Sequence, residues 1–276
     1  MPIRKIWEWF FPPKPVDNRV MKQPSRDFLS ANVAFYRGLA QADKREFERR
    51  VILFLDTTEV AGNGVEVTDE DLLLVAAGAI IPVWRFPHWH YVNLQQVILV
   101  PGAFNESSEY GQPDSCIQGM VGNGPMAGKM VLSKPALHHG FSNNKDKRNV
   151  AIHEFVHLID MLDGECDGFP ERLHDYAFSA PWLDLVEKNI RKIENRNSSI
   201  RQYGATNRQE FFAVATEYFF ERPGLMAKKH PKIYEALQRF YQTDTQAILS
   251  DVKPRSKAPC PCGSGKRYKR CCMPLG

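Results

Sequence analysis

Nowhere in the 276 residues do eighteen apolar residues run together, so no helical membrane span is expected. The opening stretch, with Trp7, Trp9, Phe10 and Phe11 against Pro2, Pro12 and Pro13, is too short and too proline-broken to serve as the apolar region of a secretory signal. Cysteine is scarce outside the C-terminus: Cys116 and Cys166 stand alone, and the other four of the six fall within residues 260–272. That distribution offers no disulfide frame for an extracellular domain. Internal repeats and long low-complexity tracts are missing as well. These absences predict a cytoplasmic chain whose two isolated cysteines are free thiols, Cys166 being a candidate for redox sensitivity.

What is present divides unevenly. A hydrophobic content of 43% is enough for a full core in a domain of about 200 residues. The formal charge of +4 is confined to the end of the chain: residues 251–276 carry Lys253, Arg255, Lys257, Lys266, Arg267, Lys269 and Arg270 against Asp251 alone. The rest, with 29 basic and 31 acidic residues out of totals of 36 and 32, is close to neutral. The boundaries that follow are an arm (1–24), a main domain (25–245), a linker (246–257) and a terminal motif (258–276).

The main domain contains His153-Glu154-Phe155-Val156-His157 inside an apolar run from Val150 to Leu162, closed by Gly164. On a helix, residues four apart share a face, so both imidazoles can meet one cation while Glu154 lies beside it. Zinc with three protein ligands brings a water to near-neutral acidity, and a neighbouring carboxylate can take its proton as it attacks a carbonyl. The alternative is a core helix whose histidines are satisfied by backbone or carboxylate groups. A histidine in the extended metzincin position is absent, that place being taken by Asp163, which could itself ligate. A second helix, opening on a Thr206-x-x-Gln209 capping box, carries Glu210 and Glu217 two turns apart among Phe211, Phe212, Phe219 and Phe220. Glu210 is the first choice as third ligand, with Glu217 orienting an imidazole N–H.

These paired motifs, together with Tyr203-Gly-Ala-Thr ahead of the second, resemble the Mlc titration factor A family of bacterial zinc peptidases, whose catalytic domain is related to that of anthrax lethal factor. The resemblance spans most of residues 25–245. It implies an α+β zincin-like domain, His153, His157 and Glu210 as ligands of a catalytic Zn2+, Glu154 as general base, and Tyr203 as the hydroxyl that steadies the oxyanion. It also implies aminopeptidase-like hydrolysis of peptides, and sequestration of a transcriptional repressor by at least one member.

In the terminal motif Cys260, Cys262, Cys271 and Cys272 lie within thirteen residues, spaced by glycine, proline and basic residues. Such spacing suits a closed structural zinc site. The segment resembles the SEC-C motif, with Cys272 where many copies carry histidine. Its basic surface and Tyr268 suit a protein partner, a ribosome or nucleic acid.

For the remainder, the patterning predicts two helices over 27–55, the second with Phe47, Val51, Ile52 and Leu55 on one face, and a helix over Leu72–Ile80 capped from Thr68. Extended runs are expected at Val92–Val100 and Met130–Ser133, one of them pairing with substrate backbone by analogy with zinc peptidases. His138 and His139 are read as a solvent-facing loop pair, and Pro231–Tyr241 as the final helix.

Overall fold

The computed structural model describes residues 19–105, 107, 109–122, 124–143, 146–170, 179–250, 266–267 and 270. The elements in chain order are α1 (Gln23–Asn32), α2 (Ala34–Gly38), α3 (Gln41–Thr57), β1 (Glu59–Gly62), α4 (Asp69–Ile80), β2 (Leu94–Val100), β3 (Gly119–Val121), β4 (Gly128–Ser133), α5 (Lys134–Ser142) and α6 (Val150–Asp160). After them come α7 (Ser179–Glu194), α8 (Arg208–Glu221), α9 (Pro223–Lys229), α10 (Pro231–Tyr241) and α11 (Thr245–Ser250). This is the mixed α+β class that the patterning implies. The four terminal cysteines, most of the N-terminal arm and residues 251–257 of the expected linker lie outside the described residues. Residues 245–250, also expected in or next to the linker, form α11 and pack on α2 and α9.

Short polar side chains start the helices that build the site. Thr68 and Asp71 cap each other's backbone at the start of α4. Asn149 caps α6 by accepting from the Ile152 amide at 3.2 Å. The cap of α8 is Asn207, whose Oδ1 accepts from the Glu210 amide at 2.8 Å, and not the expected Thr206. Thr206 already has helical angles, as the end of the 3-10 turn Gln202–Ala205, whereas Asn207 is extended, as an N-cap must be.

The sheet order is β1-β2-β4-β3, with β1, β2 and β4 parallel and β3 antiparallel to β4. The two extended runs expected from sequence are therefore the interior strands β2 and β4, and neither has an edge to offer a substrate. The edge beside the metal-motif helix belongs to β3, three residues in the glycine-containing stretch between the two expected runs.

α6 lies at the centre. Every residue from Ala151 to Asp160 is buried, including the polar face of His153, Glu154, His157 and Asp160, so those side chains must find partners inside the protein. It comes so close to α4 that a Cβ on Gly78 would lie 2.5 Å from that of Ala151. Phe155 packs edge-on against Phe54, with ring centroids 5.7 Å apart, and against Tyr91 at 5.0 Å. His138 and His139 are not in a loop: both lie on α5, where His138 Nε2 meets the buried Asp71 carboxylate at 2.6 Å and His139 Nε2 meets Asp146 at 2.8 Å.

Candidate metal centre

α6 sets the His153 and His157 rings 4.8 Å apart with their planes at 82°. α8 packs across α6, and its first turn inserts Glu210 between the two imidazoles. Glu210 Oε2 lies 3.0 Å from His153 Nε2, Glu210 Oε1 lies 3.5 Å from His157 Nε2, and the two Nε2 atoms are 3.1 Å apart. Tetrahedral zinc with bonds of about 2.0–2.2 Å holds its ligand atoms about 3.3 Å from one another. The three separations bracket that value, so the donors fit a zinc ion in both kind and spacing. His153, Glu154, His157 and Glu210 are each less than one-tenth exposed.

Hydrogen bonding fixes which nitrogen faces inward. His153 Nδ1 lies 2.8 Å from Glu217 Oε1, so Nε2 is the nitrogen that faces Glu210 and His157 and would serve a metal once its proton is displaced. Glu217 is in turn held by the Asn149 amide, which donates to Oε2 at 2.6 Å, and by the Arg201 guanidinium. Both of its oxygens are thus engaged on the far side of the His153 ring from Glu210. Asp163 does not join the cluster: it is exposed in the turn after α6, where its Oδ1 accepts from the Glu165 amide.

The charges around the donors favour a cation. Burial disfavours a charged imidazole, but Glu217, Glu210 and Glu154 outweigh it and raise His153 to about 10. Glu210, although burial pushes the other way, is held down to about 2 by its bonds to His153 and His157. Burial raises Glu154 above the ordinary carboxyl value, against the opposing pull of both histidines, and so makes it a stronger base than a solvated carboxylate. Tyr203, in the turn before α8, is about half exposed, with its ring 5.9 Å from that of His153. Burial of its hydroxyl, with the charges of Glu210 and Glu154, pushes it to about 12, so it is a donor at neutral pH.

Some contributors escaped the sequence reading. Gly119, in β3, leaves the space that Glu154 fills: a Cβ there would lie 2.6 Å from Glu154 Oε1 and 2.6 Å from Val150 Cγ2. Nothing in a three-residue strand signals that contact. Asp160 and Cys166 form a second group of potential donors with His157, and only the spacing of Asp160, three residues on from His157, hints at it. The expected redox sensitivity of Cys166 is not supported, because burial and the adjacent Asp160 push its thiol well up, away from the reactive thiolate.

Among the described residues no helix is long and apolar enough to cross a membrane. The family model of the glucose-regulated metallo-peptidase M90 matches residues 9–242, and that of the SEC-C motif matches residues 257–274. An uncharacterized protein of Synechocystis sp. is 30% identical over 224 residues, covering 77% of this chain and 81% of its own. Mlc titration factor A of Serratia proteamaculans is 27% identical over 241 residues, covering 81% and 90%, and that of Pectobacterium atrosepticum is 30% identical over 171 residues, covering 57% and 62%. On these matches the chain belongs to the glucose-regulated metallo-peptidase M90 family and carries a C-terminal SEC-C motif.

Proposed function

We propose that this protein is a zinc-dependent peptidase of aminopeptidase type, with His153, His157 and Glu210 holding a catalytic zinc. The observation that carries the reading is the convergence of His153 Nε2, His157 Nε2 and the Glu210 carboxylate at tetrahedral spacing, beside a buried Glu154. Zinc, when bound there, supplies the Lewis acidity that brings a water near neutral pKa. Glu154 accepts that water's proton as it attacks the peptide carbonyl and delivers it to the departing amine. Tyr203 donates to the carbonyl oxygen as negative charge develops on it. The edge of β3, with no strand partner on its outer side among the described residues, aligns the substrate backbone next to Glu154.

The remaining parts fit recruitment. The peptidase domain runs from residue 25 through α11, and residues 251–257 link it to residues 258–276, where Cys260, Cys262, Cys271 and Cys272 hold a second, structural zinc. The basic tail gives a docking surface for a protein partner or for nucleic acid. A second reading, favoured by relatives named Mlc titration factor A, is that the domain also binds a transcriptional regulator, with hydrolysis incidental. Glu154→Gln separates the two. Under the peptidase reading it abolishes release of amino acids from p-nitroanilides or short peptides while both zincs stay bound. Unimpaired hydrolysis by that variant would refute the mechanism, and regulator capture unaffected by it would favour the second reading.

A further inference from the structure

The two imidazoles of the proposed centre are supported unequally. A histidine that ligates a metal through one nitrogen normally donates the other N–H to an acceptor that fixes its ring. His153 has Glu217 for this, at 2.8 Å. His157 has no carboxylate in that place among the described residues. What faces its Nδ1 is Cys166 Sγ, at 3.8 Å, and that sulfur lies 3.5 Å from Asp160 Oδ2. We infer that Cys166 is the positioning residue for His157, a thiol that accepts from the imidazole Nδ1–H and donates its own S–H to Asp160. This rests on the zinc-peptidase reading above.

The surroundings hold the relay in place. Sulfur is larger than oxygen, so contacts of this length are ones a thiol makes and a shorter hydroxyl would have to tighten. Asp160 is fully buried, its Oδ2 also accepts from the Gly168 amide at 2.8 Å, and its Oδ1 has no hydrogen-bond partner among the described residues. Its charge is therefore only partly met, and it polarises the thiol. The loop carrying Cys166 is fixed at both ends by glycines in the left-handed region, Gly164 at φ 99° and Gly168 at φ 77°. Gly168 fits against the Arg208 backbone so closely that it has no room for a Cβ, and its carbonyl accepts from Trp182 Nε1 at 3.0 Å. Asp160 sits on the same helix as His157 but bonds the loop and not the imidazole, which leaves the thiol as the connecting group.

The test uses the full chain and zinc alone, read as release to a competing chelator. His153→Ala identifies which phase of release belongs to the proposed centre, since the terminal cysteines are the same in every variant. In that phase Cys166→Ala should weaken zinc binding by about 10-fold or more, the size of effect seen when such orienting partners are removed. Cys166→Ser, whose hydroxyl can both accept and donate but sits on a shorter bond, should recover part of the loss, a rescue that packing alone would not produce. Wild-type affinity in Cys166→Ala, or a serine variant as weak as the alanine one, overturns the inference. So does a sulfur-to-metal charge-transfer band in the cobalt-loaded protein that disappears in Cys166→Ser, because the thiol would then be a ligand itself. A wild-type protein with no phase removed by His153→Ala would instead refute the underlying reading of the metal centre.

Discussion

α6 and α8 form one wall of the candidate centre from side chains less than one-tenth exposed, while β3 forms another wall from three half-buried residues bonded to one neighbouring strand. On the helical wall His153 is fixed by Glu217, itself held by Asn149 and Arg201, and the backbone that carries Glu210 is fixed by Asn207. On the strand wall little is fixed beyond the close fit of Gly119 against Glu154. The difference matches the two tasks proposed for the site: a metal needs preorganised donors, whereas a peptide of varied sequence needs an edge that pairs through its backbone.

If the helical wall does the chemistry, Glu154→Gln carries the largest effect, a loss of about 10^2–10^4-fold in kcat with zinc content unchanged, measured by peptide hydrolysis alongside metal analysis. The strand wall is probed by Gly119→Ala. Its methyl group would displace the Glu154 carboxylate, and a misplacement of that kind can cost about 10^2-fold in rate. Zinc should stay bound, and loss of zinc together with activity would mean that the two walls are not separable. Glu217→Gln sharpens the comparison from behind His153: zinc affinity should fall by about 10- to 100-fold, read by chelator competition, with the fold intact by circular dichroism.

The smallest expected effect concerns stability, at the back of the helical wall. Glu221, which accepts from Asn149 Nδ2 and lines a small cavity with Phe35, Phe141 and Ile152, is raised by burial from 4.5 to about 8. Its folded pKa lies above its unfolded one, so between these values the folded state binds more protons and stability falls as pH rises. Glu221→Gln removes that titration, so its stability advantage over the wild type should be largest near pH 8, shrink as pH falls toward 4.5 and be absent below that. Thermal unfolding of both proteins across that range checks it, and a difference independent of pH would count against the assigned burial.

The helical wall was readable in the sequence because its chemistry sits at helical spacing in apolar surroundings: His153 and His157 four apart, Glu210 and Glu217 seven apart. The strand wall was not. β3 has three residues, too few for an alternating pattern, and Gly119 matters for the side chain that it lacks. The interior strands β2 and β4 were legible as extended, but their order in the sheet depends on tertiary pairing that no local pattern encodes. His138 and His139 were misplaced in a loop because Pro135 was not read as the first turn of a helix capped by Ser133. α7 was passed over although Trp182, Val186 and Ile193, all buried, recur at intervals of four and seven. The thiol between Asp160 and His157 is a product of loop geometry fixed by Gly164 and Gly168, and sequence distance carries no trace of it.

The most direct test is an anomalous difference map from crystals of the full chain, collected on either side of the zinc absorption edge. A peak about 2.0–2.2 Å from His153 Nε2, His157 Nε2 and a Glu210 oxygen is the predicted result. A map without density there, with His153 bridging Glu210 and Glu217 directly, would contradict the metal centre.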